Sequence, residues 1–257
     1  MAVEASAGPL TRPRAAAAGS LAVLAVALQI AYPLASGGAR DRLTVGIVIA
    51  FAAAGAASAV ATRGWRVGGQ AIAAAALVGF AADVVGVHSG LPFGRYAYGS
   101  LLGPRLAGVP LVVALAWTML AWPAAVVARR LVRGTVARVA VGAWALAAWD
   151  VFLDPQMVAA GAWHWHQPSP HLPGVTGVPL TDYAGWLLVA AVISAAVQWC
   201  LRGDRGGDDA VPVALYLWTW VGSAVALAAF LGHPAAAAWG AVAMGLVGVP
   251  LVRTLAR

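Results

Sequence analysis

The sequence predicts an all-α fold, a polytopic bundle of about eight transmembrane helices that forms a single membrane domain over residues 1–257. Two observations indicate this fold. Hydrophobic residues make up 62% of the chain and charged residues only 10%, whereas an average soluble domain has about 25% charged residues. Apolar runs also recur along the whole chain, separated by short polar breaks that carry arginine. Because so few charges cannot cover a surface that faces water, we expect an integral membrane protein.

The apolar runs have the length of membrane spans. A helix needs roughly 20 mostly apolar residues to cross the bilayer core. Runs of this kind lie near residues 15–35, 43–61, 68–88, 107–128, 136–154, 182–201, 211–231 and 235–252. The first run follows Arg12 and Arg14, as a secretory signal would, but it is longer than the roughly 7–15 residues of a signal core. We therefore expect an uncleaved first span.

The arginines indicate how these spans are oriented. Cytoplasmic loops carry an excess of positive charge. With eight spans and a cytoplasmic N-terminus, only Arg40, Arg42, Arg95 and Arg105 fall outside, which leaves the other twelve of the sixteen arginines inside. We expect both termini in the cytoplasm and the long connections 89–106 and 155–181 on the outer face of the cell membrane. Since the arginines are scattered and form no basic patch, we expect no nucleic-acid partner.

An internal repeat is one interpretation of the middle of the chain. The segment from Gly108 to Trp117 aligns without gaps on the segment from Gly177 to Trp186, and both begin with Gly-Val-Pro-Leu. Each follows a span that carries an aspartate. A chance match remains the alternative, because Gly-Val-Pro-Leu also occurs at residues 248–251.

Four of the nine acidic residues fall near the outer ends of predicted spans, namely Asp83, Asp150, Asp154 and Asp182. An ionisable residue within a span costs about 2.5–3.5 kcal/mol on insertion scales and is by default a functional candidate. Asp150 and Asp154 are four residues apart and so share one helix face. The alternative interpretation is that these aspartates are helix caps or partners of the outer arginines.

Helix direction separates the four carboxyl groups chemically. Asp83, Asp150 and Asp154 are expected near the C-terminal ends of ascending helices, where the helix dipole and burial disfavour the charged form. Asp182 is expected to open a descending helix, where a carboxylate caps free N–H groups. The sequence thus predicts proton donors beside an anion.

We expect no metal site. The single cysteine, Cys200, excludes a cysteine cluster, and the spacing of His88, His164, His166 and His171 fits no zinc signature. The tryptophans near the carboxyl groups can instead line a pocket for a cation, because a ring face attracts a nearby positive charge by roughly 0.5–2 kcal/mol. These are Trp117, Trp149, Trp163, Trp165 and Trp186.

The middle of the chain, about residues 80–190, resembles the membrane carotenoid hydratases, a family that includes bisanhydrobacterioruberin hydratase and the gamma-carotene hydratases. The motifs that carry the resemblance are Asp83-x-x-Gly86, Gly90-x-Pro-Phe93-Gly94-x-Tyr96-x-Tyr98, Gly108-Val-Pro110, Trp117, Asp150-x-x-x-Asp154-Pro155-x-Met157, Gly161-x-Trp163-x-Trp165, Gly177-Val-Pro179 and Gly185-Trp186. Two positions depart from the family pattern. Asp83 stands where glutamate is usual, and Asp182 stands where asparagine is expected.

The resemblance implies addition of water across the terminal isoprenoid double bond of an acyclic carotenoid end, giving a tertiary alcohol without a metal or redox cofactor. It implies Asp83, Asp150 and Asp154 as catalytic residues. It implies a substrate pocket formed by Phe93, Tyr96, Tyr98, Asp182 and the five tryptophans named above. The expected partners are a carotenoid within the bilayer, membrane lipid and other membrane enzymes of carotenoid synthesis.

A membrane transporter or a pigment-binding structural protein is the alternative function. Transporters place coupling residues near the midplane. The inner halves of the third and fifth predicted spans offer little beyond Gln70 as a polar residue, so no polar path crosses the membrane. This favours the enzyme.

Overall fold

A computed structural model describes residues 11–204 and 206–257. The described chain is a helical bundle with four short strands. Its helices are α1 (Thr11–Ala31), α2 (Gly37–Gly64), α3 (Gln70–Ser89), α4 (Val112–Leu131), α5 (Thr135–Ala147), α6 (Asp150–Ala159), α7 (Leu180–Cys200), α8 (Ala210–Ala229) and α9 (Pro234–Leu255). The strands are β1 (Tyr96–Tyr98), β2 (Arg105–Leu106), β3 (Val109–Pro110) and β4 (Trp163–Trp165).

Seven helical segments of the described chain are long and apolar enough to cross a membrane. One of them, Gly37–Ser89, has 53 residues and would extend about 80 Å as one helix, more than twice the bilayer core of about 30 Å. It breaks at Gly64, whose φ of +75° suits glycine, and a π turn at Trp65–Gly69 leads into α3. Ile47 and Asp83 line the same cavity, so the segment folds back and crosses twice. The predicted all-α polytopic fold is confirmed.

Two predicted span boundaries are wrong for local reasons. The predicted span 136–154 consists of α5 and α6, separated by a turn at Ala148 and Trp149. Asp150 therefore lies in the first turn of α6 and not near the C-terminal end of a helix, so the expected dipole effect on Asp150 and Asp154 does not hold. The predicted start of the fourth span, at residue 107, is also wrong, because β2 and β3 pair antiparallel just before α4 begins.

The two long connections are joined into one unit. Strand β1 pairs antiparallel with β4, and Tyr96 faces Trp165 across the ladder. The pairing continues beyond the strands, since the His166 N–H donates to the Arg95 carbonyl at 2.9 Å and the Gly99 N–H donates to the Ala162 carbonyl at 2.8 Å. This ladder brings the aromatic residues of both loops to the same end of the bundle.

The two Gly-Val-Pro-Leu segments have similar backbones. Gly108 and Gly177 both have positive φ, +83° and +90°, and α4 and α7 begin soon after them. The aligned residues Trp117 and Trp186 stack with ring centroids 4.1 Å apart and planes 25° from parallel. The aligned segments thus meet directly at the centre of the bundle.

Glycine permits the close approach of α3 to α4. A Cβ atom at Gly79 would overlap the ring of Trp117. Trp117 is almost fully buried, so a larger residue at position 79 would displace this side chain. Since the Trp117 indole also binds Asp83, packing at Gly79 positions a polar contact one turn further along α3.

A buried ion cluster closes the opposite end of the bundle. Arg63 at the end of α2 donates to Asp204 at 3.0 Å and to Asp209 at 2.8 Å. Arg129 of α4 also lies 3.4 Å from Asp204. The β1–β4 ladder lies at the other end of the bundle, and from the arginine distribution we expect the ion cluster on the cytoplasmic side.

We predict that reporter fusions after Arg133 and after Pro170 lie on opposite sides of the membrane, because α5 and α6 form one crossing between these positions. A cytoplasmically active reporter should be active only after Arg133, and an exported reporter only after Pro170. Activity of the same reporter at both positions would contradict the eight-span arrangement.

Candidate active site

A cavity of about 1320 Å³, part of it open to the surroundings, lies at the end of the bundle that carries the β1–β4 ladder. Its wall contains every site residue expected from the sequence except Asp150. These are the carboxyl groups of Asp83, Asp154 and Asp182 and the aromatic rings of Phe93, Tyr96, Tyr98, Trp117, Trp149, Trp163, Trp165 and Trp186. The lining is therefore an aromatic and aliphatic surface with a few carboxyl groups, which suits an apolar ligand with one reacting end.

Asp83, on α3, is bound by three side-chain donors. The hydroxyl groups of Tyr96 and Tyr98 lie 2.8 and 2.7 Å from its Oδ1, and the indole Nε1 of Trp117 lies 2.7 Å from its Oδ2. An indole N–H only donates, so Oδ2 is an acceptor. Because both oxygens of Asp83 accept hydrogen bonds, this arrangement suits a carboxylate held in a fixed orientation.

The two tyrosines remain protonated at ordinary pH. Burial, and after it the charge of Asp83, raises the pKa of the Tyr96 hydroxyl far above its usual value. The same two causes raise the pKa of Tyr98. Both hydroxyl groups are thus available as hydrogen-bond donors to Asp83.

Asp150, Asp154 and Asp182 form a second carboxyl group cluster, with ligand atoms within 4.8 Å of one another. All three side chains are at most 1% exposed. Both oxygens of Asp150, Oδ2 of Asp154 and Oδ2 of Asp182 have no hydrogen-bond partner among the described residues. Among the described residues, the one neutral donor to this cluster is the Trp163 indole, which lies 3.1 Å from Oδ1 of Asp154.

This cluster needs something to balance its charge. None of the ion pairs in residues 14–204 and 206–257 involves these three aspartates, and adjacent carboxylates repel each other strongly. The cluster can share protons, as paired carboxyl groups do. Its oxygen-only ligands would also suit a hard divalent cation. Asp150 is fully buried behind Asp154 and Asp182, which face the cavity.

The expected helix cap at Asp182 is wrong. Helix α7 begins at Leu180 after Pro179, and its first turn has no side-chain capping bond. The Asp182 side chain instead joins the carboxyl group cluster. Long-range packing between α6 and α7 thus decides its environment, and the local helix start does not.

The aromatic rings lie beside the carboxyl groups. Trp186 stacks on Trp117, which binds Asp83, and Trp149 contacts Trp186 edge to face at 6.2 Å. Tyr96 packs near Trp165, and Tyr98 contacts Trp163 edge to face, both at 5.9 Å. Ring faces in a water-poor pocket can stabilise a positive charge.

Sequence reasoning missed the far side of the cavity, which is formed by α1, α2 and α8. Gln29, Tyr32, Thr44, Trp218 and Ser223 line it. The Trp218 indole donates to the Gln29 side-chain oxygen at 2.7 Å, which links α8 to α1. Gln29 was the available signal, because it is a lone amide within an otherwise apolar span.

A known protein family and a curated relative are similar to this chain. The chain matches the family described as "Carotenoid biosynthesis protein" over residues 43–247. Bisanhydrobacterioruberin hydratase of Haloarcula japonica is 34% identical over 147 residues, which cover 55% of this chain and 48% of the relative. The chain therefore matches about half the length of that curated relative. No solved structure shows a significant match. Because the family match extends over most of the chain, from α2 to α9, this protein belongs to the carotenoid biosynthesis protein family.

Proposed function

We propose that this protein is a hydratase that adds water across the terminal double bond of an acyclic carotenoid end within the cell membrane. The observation that carries the proposal is that Asp83 and, separately, Asp154 with Asp182 line one aromatic cavity at one end of the helical bundle. Family membership and the similarity to a protein named as a hydratase support it. An aromatic cavity in a bilayer suits a polyene, and carboxyl groups supply the acid and base of a hydration.

Asp154 is the proposed proton donor. Its Oδ1 is held by the Trp163 indole, which leaves Oδ2 unpartnered at the cavity wall as the position for a proton. The proton passes to the CH carbon of the terminal double bond, and the π electrons form the new C–H bond. The other alkene carbon becomes a tertiary cation beside the tryptophan rings. Asp150 and Asp182 adjoin Asp154 and share the proton of the cluster.

Asp83 is the proposed base for the capture step. A lone pair of a water molecule forms the C–O bond to the tertiary cation, and the released proton moves to Asp83. The hydroxyl groups of Tyr96 and Tyr98 hold this carboxylate in place. Transfer of that proton back to the aspartate cluster through water restores the starting state. These roles differ from the sequence-based interpretation, in which Asp83 was an acid and Asp182 the anion.

We predict that membranes containing this protein convert an acyclic carotene to a tertiary alcohol. The measurement is chromatography with mass spectrometry of pigments from cells that make an acyclic carotene with or without the protein. The expected product is heavier than the carotene by one water per hydrated end. Retention of the unmodified carotene by the purified protein, with no alcohol formed, would favour the pigment-binding alternative.

We predict that Asp154→Asn and Asp83→Asn fail at different steps. Loss of a general acid or base costs typically 10²–10⁴ in rate, so both variants should form little alcohol. In deuterated water, Asp83→Asn should still exchange the alkene hydrogen, because Asp154 protonates the alkene and recovers a proton when no water is captured. Asp154→Asn should lose exchange as well.

Asp208→Asn is the matched control, since Asp208 is exposed in the loop before α8 and an amide can accept the same bond from the Ala210 N–H.

Treatment with a chelator tests whether the carboxyl group cluster shares protons or binds a cation. We expect hydration to persist after chelation. Exchange that survives in Asp154→Asn but not in Asp83→Asn would reverse the two roles.

A further inference from the structure

A second, more polar cavity adjoins the aromatic cavity described above, which we call the reaction cavity. It has a volume of about 940 Å³, including space open to solvent. We call it the outer vestibule. It is lined by Val87, His88, Ser89, Gly90, Arg95, Tyr96, His166 and Gln167. The side chains of His88, Arg95, His166 and Gln167 are exposed, so water has access to the vestibule from the loop side of the protein.

Tyr96 is the residue that the two cavities share. Its ring is buried and packs edge to face against Phe93 and at an angle against Trp165. Its hydroxyl group lies 2.8 Å from Oδ1 of Asp83. Tyr96 therefore separates the polar vestibule from the reaction cavity at the carboxylate proposed to activate water.

The proposed reaction requires a route by which water reaches Asp83 while the carotenoid is bound, and the vestibule provides such a route. Each hydration consumes one water molecule, yet the cavity wall is largely aromatic and aliphatic. A bound polyene would fill the far side of the cavity between α1, α2 and α8, and water arriving from that side would have to pass the substrate. Tyr96 binds Asp83 and also lines the vestibule, so the vestibule reaches the Tyr96 side of this carboxyl group without crossing the part of the cavity that the polyene would fill.

We propose that the outer vestibule is the binding and entry site for the water co-substrate, and that it delivers water past Tyr96 to Asp83 by a path separate from carotenoid entry. This inference rests on the proposed hydratase function. It assigns a role to His88, Arg95, His166 and Gln167, which line the path and take no part in the acid or base steps.

A cysteine-blocking experiment tests the path. Cys200 is the only cysteine in the chain, so Cys200→Ala gives a cysteine-free parent. Gln167→Cys and Ser89→Cys place a thiol on two sides of the vestibule, and Ser100→Cys places one on an exposed part of the same loop that does not line it. Each variant is compared with itself before and after a bulky, membrane-impermeant thiol reagent, in vesicles whose outer face is outward.

Labelling at Gln167→Cys or Ser89→Cys should stop alcohol formation while carotene still copurifies with the protein, as measured by its absorbance. Labelling at Ser100→Cys should leave the rate unchanged. Hydration that continues at the same rate after complete labelling of both vestibule variants would overturn the water path. If neither the unmodified chain nor the cysteine-free parent forms any alcohol, the proposed hydratase function fails, and the water path fails with it.

Discussion

Four carboxyl groups are buried at the end of an apolar helical bundle that carries the β1–β4 ladder, and this burial is the constraint on which the rest of the site depends. A buried carboxyl group without hydrogen bonds or a countercharge is costly. Two arrangements in this protein compensate for the free-energy cost of burying these carboxyl groups. Asp83 receives three donors, two from strand β1 and one from helix α4, whereas Asp150, Asp154 and Asp182 lie against one another. The first arrangement suits an anion and the second suits a shared proton.

The same constraint explains the structure of the outer loops. Tyr96 and Tyr98 reach Asp83 only because β1 is held by its pairing with β4. That pairing also places the Trp163 indole on Asp154 and Trp165 beside Tyr96. One short ladder thus positions a donor on each of the two carboxyl group sets. Glycine at position 79 lets Trp117 complete the set around Asp83.

Much of the fold and of the candidate site was predictable from the sequence, because the features that determine them are local in the chain. Apolar runs define the helices, and eleven of the twelve expected site residues, all except Asp150, line one cavity. The surroundings of the carboxyl groups were harder to predict from the sequence. Asp182 has the sequence position of a helix cap, but its carboxyl group lies beside Asp150 and Asp154 of α6, on the other side of the long connection that precedes α7. Asp150 has the sequence position of a span end, but a turn at Ala148 and Trp149 puts it at a helix start and behind the cavity wall.

The far wall of the cavity was missed for a related reason. Residues of α1, α2 and α8 look like ordinary lipid-facing residues in the sequence, since the pattern of an apolar span does not reveal which face meets a ligand. Only the packing of α2 and α8 against α4, and of α1 against α2 and α8, places Tyr32, Thr44 and Trp218 across from the carboxyl groups. Residues contributed by helices remote in sequence therefore form this side of the cavity.

Isotope incorporation during turnover tests the central claim most directly, because acid protonation followed by water capture fixes the origin of both added atoms. The reaction is run without oxygen in deuterated water enriched in oxygen-18, and the product is analysed by mass spectrometry. The account predicts that each hydrated end carries oxygen-18 in the alcohol and one non-exchangeable deuterium on the adjacent carbon. An alcohol whose oxygen does not come from water, or whose adjacent carbon gains no deuterium, would contradict it.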